Sequence, residues 1–140
     1  MKKMLIAIDD GTQSEIVELK GFQLGQQINE ETTLISVVDT TTLITDGAVS
    51  TREIADITHN DLQKNQQKLM DKVFKDIKVL SFVEEGTPFE EILRVAGEWE
   101  ADLIVLGTHG RTGLSHLLMG SVAEKVFRHS IKPLFIIPTK

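Results

Sequence analysis

The chain contains no cysteine, which excludes a disulfide framework and any thiolate chemistry. No apolar stretch approaches the ~20 residues needed to span a bilayer. The start, Met1-Lys2-Lys3 followed by a short apolar run ending at Asp9, lacks the longer apolar region and small-residue cleavage site of a secretory signal. The reading is therefore a cytoplasmic protein with no membrane partner. Basic charge is in deficit: 15 Lys and Arg against 21 Asp and Glu give a formal net charge of −6. A duplex-binding protein normally shows a basic face, so no nucleic-acid partner is expected. A small anionic ligand needs only a local field and stays open.

What is present is ordinary for a globular chain. Apolar residues make up 41% and charged residues 26% of 140 residues, and that length suggests one domain, residues 1–140. A domain of this size buries roughly 68–70% of its unfolded surface, enough for a core without staples. Five apolar runs have strand length: 4–8, 33–38, 78–83, 103–106 and 134–137. Several are continuous rather than alternating, as expected of parallel strands covered on both faces.

Helical segments are expected between the strands, over 13–29, 52–75, 88–100 and 121–130. Thr12-Gln13-Ser14-Glu15, Thr87-Pro88-Phe89-Glu90 and Ser121-Val122-Ala123-Glu124 each fit S/T-x-x-E, the capping box. Pro88 falls at a first helical position, where its missing N–H costs nothing. Strand and helix alternation implies an open, doubly wound α/β sheet with right-handed crossovers. Residues 40–51, rich in Thr and small residues, form the one long loop. It follows the second strand and so lies at the carboxyl edge of the sheet.

In such sheets ligands bind outside the carboxyl ends of the strands, where strand order reverses. Two strand exits carry unusual residues: Asp9-Asp10-Gly11 and Gly107-Thr108-His109-Gly110. The second opens a glycine-rich stretch that runs to Gly120-Ser121, with spacing G-x2-G-x9-G-S. Gly107 and Gly110 permit positive φ and close backbone approach, and successive amides in such a turn form an anion nest. Gly120-Ser121 opens the last helix, whose first N–H groups lack internal partners and favour a phosphate. Ser121 is read as a cap, a phosphate ligand, or both. A P-loop does not fit, because the position before the hydroxyl residue is Gly120 rather than lysine, and G-x-G-x-x-G is absent after the first strand. An Asp at the first strand's end suits a ribose diol, which donates bonds that a phosphate cannot. The plainer alternative for Asp9 is a turn cap; Asp10 reads as a solvated turn residue.

His109, His116 and His129 do not have zinc-site spacing, and no Cys or acidic cluster completes a ligand set. His109 is placed to donate to a phosphate, and His129 suits a helix C-terminus as a favourable charge. Arg111 either pairs a phosphate or is simply solvated. Trp99, beside Val95 and Ala96, reads as core or interface.

The motif Gly107, Gly110, Gly120, Ser121, with its flanks ADLIVLGTHGRTGLSHLLMGSVAEKV, resembles the nucleotide-binding branch of the universal stress protein family. MLIAIDDGTQSE is similar to that family's first strand and acidic turn, where VDGS is more usual. Asp9 falls on that Asp, and Asp10 departs by standing where Gly is common. LISVVD resembles the second strand, with Ser36 where His often stands, and EEGTPFEEIL resembles the third-strand exit and the helix after it. The resemblance covers nearly the whole chain and is weakest over residues 40–76.

The resemblance implies five parallel strands in the order 3-2-1-4-5, with helices on both faces. It implies ATP, ADP or AMP across the crevice, with Mg²⁺ held through the phosphates. Asp9 would hold the ribose, the backbone of Ala7 or Ile8 would line the base, and the main chain of Val37 would meet the adenine edge. Gly107, His109, Gly110, Arg111, Gly120, Ser121 and Val122 would surround the phosphates. It also implies a homodimer through the last strand, which as a bare apolar edge would be a liability.

No dedicated base or lysine is evident for phosphoryl transfer, although Thr108, Thr112 and Ser115 supply hydroxyls. The favoured function is a nucleotide-dependent stress-response sensor or switch with slow or no hydrolysis, read by a protein partner of unknown identity. The alternatives are a small ATP-using enzyme on the same fold and, more remotely, a receiver-type signalling domain. The receiver reading draws on Asp9-Asp10 and Lys132-Pro133. It conflicts with Glu84-Glu85-Gly86, which stands where a phosphorylatable Asp is needed.

Overall fold

In the computed structural model, which describes residues 3–9, 11, 13–28, 31–43, 47, 49–74, 79–109 and 119–139, strands and helices alternate along the chain. They are β1 (Lys3–Ala7), α1 (Ser14–Ile28), β2 (Glu31–Asp39), α2 (Thr51–Val73), β3 (Leu80–Gly86), α3 (Pro88–Glu98), β4 (Leu103–Gly107), α4 (Ser121–His129) and β5 (Leu134–Ile137). All pairings are parallel, in the expected order β3-β2-β1-β4-β5. β1 is central: Ile6 pairs with Leu34 on one side and Val105 on the other. This order differs from the 2-1-3-4-5 of flavodoxin-like and receiver folds, and so removes the receiver reading.

The continuous apolar runs are explained by burial on both faces. Leu5, Ile35, Ile104 and Leu106 pack with Ile92, Val95 and Ala96 of α3 and Ala123 and Val126 of α4. The alternate residues Met4, Ile6, Ile8, Leu34 and Val105 pack with Val17 of α1 and Leu69 of α2. Each Val, Leu, Ile or Met side chain among them, fully buried, contributes roughly 1.5–3 kcal/mol. α1 presses closely on β1: a Cβ on Gly21 would stand 2.8 Å from Ile6 Cδ1, and one on Gly25 2.7 Å from Met4 Cε.

Two local expectations need correction. β3 runs on through Glu84-Glu85 to Gly86, past the expected end at 83. An edge strand accepts these charges because cations meet them: Arg94 reaches Glu84 at 2.8 Å and Arg52 reaches Glu85 at 2.7 Å. The hydrogen bond from Arg52 holds the Glu85 carboxyl below its ordinary range. Such charges also blunt an edge against unwanted pairing.

The capping boxes also differ. Thr87 is the α3 N-cap but makes no side-chain cap bond, and the α4 N-cap is Gly120 rather than Ser121. In α1 the first helical bond runs from the Val17 amide to the Gln13 oxygen at 3.2 Å, and Thr12 lies outside the described residues. The side-chain cap is found instead on α2, where the Glu53 amide donates to Ser50 Oγ at 3.1 Å.

Polar groups also enter the α2 face. Gln66 is buried and its amide donates to Ser36 Oγ at 3.0 Å and to the Phe82 oxygen at 2.8 Å, tying α2 to both β2 and β3. On α1, Glu18 is fully buried, and among the described residues neither carboxylate oxygen has a hydrogen-bond partner.

Candidate functional site

β1 turns into α1 through a short hydrogen-bonded knot. Asp9 Oδ1 accepts from the Gly11 amide at 2.8 Å and from Ser14 Oγ at 2.9 Å. The Ser14 hydroxyl lies 2.6 Å from the Asp9 main-chain oxygen, and the Asp9 amide donates back to Ser14 Oγ at 3.2 Å. This is an Asx-type turn, so the plainer role considered for Asp9 is present. The knot also fixes the carboxylate in place, and an ionised carboxylate has about four acceptor sites. A third element joins in: Asn65 of α2 donates its side-chain amide to the Asp9 oxygen at 2.8 Å. Sequence reasoning did not find Asn65, since no local pattern links it to a residue so distant in the chain.

Ala7 ends β1 and pairs with Ile35. The Ile8 amide still donates to the Ile35 oxygen at 3.0 Å, and its side chain is buried. Val37, two residues beyond Ile35, lies on β2 past the end of β1 and packs toward the α3/α4 core. These three residues therefore surround the point where Asp9 leaves the sheet.

β4 lies beside β1, with Leu5 opposite Ile104, so its exit at Gly107-Thr108-His109 neighbours the Asp9 turn. Strand order reverses between these two strands, the position where open sheets bind ligands. Gly107 is not used as expected. Positive-φ glycines among the described residues are Gly47 and Gly86. A Cβ on Gly107 would stand 2.9 Å from both Thr139 Cγ2 and Val17 Cγ2. Glycine is needed there for close packing from within the protein.

The amides at this exit are largely committed internally. Thr108 N–H donates to the Ile137 oxygen at 2.9 Å, and Gly120 N–H to the Thr108 oxygen at 2.6 Å. His109 N–H donates to Thr139 Oγ1 at 3.0 Å. The His109 ring is held by the same residue, with Nδ1 3.0 Å from the Thr139 main-chain oxygen. The same Nδ1 lies 3.1 Å from Thr108 Oγ1, so the ring is held between two oxygens. The expected anion nest is thus narrowed at this end. The donors offered by backbone geometry are those of Ser121, Val122 and Ala123, which precede the first α4 helical bond, from Glu124 N–H to the Gly120 oxygen at 3.0 Å. They carry the positive end of the helix dipole. Gly110 and Arg111, like His116, lie outside the described residues.

The remaining candidates fall away from the crevice. His129 occupies the last turn of α4 and stacks on Phe89 with ring centres 5.3 Å apart. Trp99 packs against the α3/α4 core, with Lys3 Nζ 5.2 Å from its ring centre. Among the described residues no three His, Cys, Asp or Glu side chains gather into a metal-holding group, and no helix is long and apolar enough to cross a membrane. Glu18 lies four residues after Ser14 on α1. Burial pushes its carboxyl up to about 8, with the charge of Glu15 adding to the rise.

The sequence pattern of the universal stress protein family matches residues 1–138. The chain belongs to the universal stress protein family. Its relatives include universal stress protein MJ0531 of Methanocaldococcus jannaschii, 31% identical over 97% of this chain and 81% of that protein. Universal stress protein MJ0577 of the same organism is 37% identical over 55% of this chain and 49% of its own length. The solved structure of MJ0577, from which that protein's biochemical function was assigned, superposes with a TM-score of 0.79 at 30% identity, covering 99% of this chain and 96% of that one. The universal stress protein UspA of Lactobacillus plantarum gives a TM-score of 0.86 at 20% identity, covering 97% of each chain. A universal stress protein solved in complex with cAMP shares the fold, with a TM-score of 0.70 at 16% identity over 99% of this chain and 98% of that one.

Proposed function

We propose that this universal stress protein binds an adenine nucleotide, ATP first among them, across the crevice between the β1 and β4 exits. In this reading Asp9 accepts from the ribose, and the backbone of Ala7, Ile8 and Val37 lines the base. Gly107, His109, Gly110, Arg111, Gly120, Ser121 and Val122 surround the phosphates, and Mg²⁺ is held by the phosphates. The observation that carries the reading is one of placement. A fixed carboxylate and the open first turn of a helix stand at neighbouring strand exits, at the reversal of strand order, and the G-x2-G-x9-G-S spacing runs from the β4 exit to that first turn. A cAMP complex of a universal stress protein with this fold adds support for an adenine ligand.

The protein then acts as a sensor or switch whose nucleotide state is read by a partner, with hydrolysis slow or absent. It pairs with a second copy through β5. That strand lies at the sheet edge, and Phe127, Ile131 and Phe135 around it are 61%, 98% and 38% exposed. Bare apolar edges of this kind are normally covered.

The experiment is mass spectrometry of small molecules released when the purified protein is denatured, followed by calorimetry with ATP. An adenine nucleotide in the released fraction, or saturable ATP binding by the emptied protein, is the expected result. Neither one, at millimolar ATP, overturns the reading. Multiple turnover of ATP with a specific acceptor would replace the switch by an enzyme on the same site.

A further inference from the structure

Thr139 follows β5 by two residues and is 1% exposed. Its hydroxyl answers both polar groups of one residue: Oγ1 accepts from His109 N–H and donates to the His109 oxygen, each at 3.0 Å. Its own amide donates to Thr108 Oγ1 at 3.0 Å, and its carbonyl lies 3.0 Å from His109 Nδ1. Its methyl group fills the space that Gly107 leaves open. The clamp extends one bond further, because the Thr108 oxygen receives the Gly120 amide at 2.6 Å. Gly120 is the N-cap of α4. A single residue thus fixes the β4 exit, its hydroxyl holding the His109 backbone while its main chain meets the imidazole and Thr108, and through Thr108 the approach of the α4 first turn.

We propose that Thr139 is a positioning residue for phosphate binding, a role that rests on the nucleotide reading above. It touches no phosphate itself. It orients His109 and holds the α4 first turn so that the donors converge on one point, and among the described residues its hydrogen bonds run to Thr108 and His109 rather than to the Asp9 turn. Preorganised donors gain affinity because their ordering is not repeated on binding.

The test is calorimetry with ATP and with adenosine on wild type, Thr139→Val and Thr139→Ser. Valine keeps the shape and removes the hydroxyl; serine keeps the hydroxyl. Thr139→Val is expected to weaken ATP about tenfold, the loss typical of a hydrogen bond or two, and to leave adenosine unchanged. Thr139→Ser is expected to restore most of the ATP affinity. Amide exchange at His109 in the nucleotide-free protein should accelerate in Thr139→Val and not in Thr139→Ser. Equal ATP affinity in wild type and Thr139→Val overturns the proposal. So does an equal loss for ATP and adenosine, which would mark a merely structural role. Wild type that binds neither ligand refutes the nucleotide reading itself, and the positioning role with it.

Discussion

The side-chain amide of Asn65, on α2, donates to the main-chain oxygen of Asp9 at 2.8 Å. The turn after β1 is therefore held from two sides, since Ser14 Oγ reaches the same oxygen at 2.6 Å. Replacing Asn65 by alanine removes one of the two bonds. The expected cost is about 1 kcal/mol of stability, read as a lowered urea midpoint. Adenosine affinity should fall several-fold as Asp9 loosens. Unchanged affinity in a destabilised Asn65→Ala protein would separate the turn's rigidity from ligand binding.

Gly107 makes a sharper prediction. A Cβ there would stand 2.9 Å from carbon atoms of both Thr139 and Val17. Gly107→Ala is expected to destabilise by roughly 1–3 kcal/mol, the range for overpacking a core. Adding Val17→Ala should recover part of that loss, giving a non-additive double-mutant cycle. Additive losses in urea denaturation would show that the two sites do not meet.

Glu18 should make stability fall as pH rises. Its carboxyl is pushed up from 4.5 to about 8 by burial, so the folded protein keeps a proton that the unfolded chain releases. Below about pH 4.5 the two states bind this proton alike and no penalty is felt. Between about 4.5 and 8 stability is lost at up to ~1.4 kcal/mol per pH unit, and above 8 the loss is complete. Glu18→Gln cannot ionise and should flatten this slope. Denaturation midpoints from pH 5 to 8.5 check it; the same slope in both proteins would show that Glu18 titrates normally.

The proposed homodimer is tested at its edge. Phe135, in β5, is 38% exposed and Ile131, just before it, 98% exposed. Phe135→Lys or Ile131→Asp should shift the protein toward monomer by at least tenfold in dissociation constant, measured by sedimentation, with circular dichroism unchanged. A wild type that is monomeric at high micromolar concentration would refute the pairing.

The architecture was legible because each strand is an apolar run bounded by turn residues. The order 3-2-1-4-5 came from the resemblance carried by Gly107, Gly110, Gly120 and Ser121, and the pairing of β1 with both β2 and β4 agrees with it. Element ends were less legible. Glu84 and Glu85 read as a strand exit because the arginines that pair with them lie on two different helices. The Ser50 cap fits the same S-x-x-E pattern, Ser50-Thr51-Arg52-Glu53, yet stood inside what reads as loop. At the site, Asp9 and the glycine spacing are local signals. Asn65 and Thr139 are not: their partners lie 56 and 30 residues away, and nothing in their own neighbourhoods marks them. Glu18 sits at a helix position that a sequence reading takes as solvated, since a carboxylate is rarely buried without a partner.

The most direct measurement is calorimetry with ATP on Gly120→Val. Gly120 has φ −72° and ψ 169°, extended backbone that valine adopts readily, so the substitution adds a branched side chain at the α4 N-cap without backbone strain. Phosphate bound at the α4 first turn predicts a loss of ATP affinity of at least tenfold, with thermal stability retained and adenosine binding little changed. ATP affinity equal to wild type would contradict it and remove the phosphate from this turn.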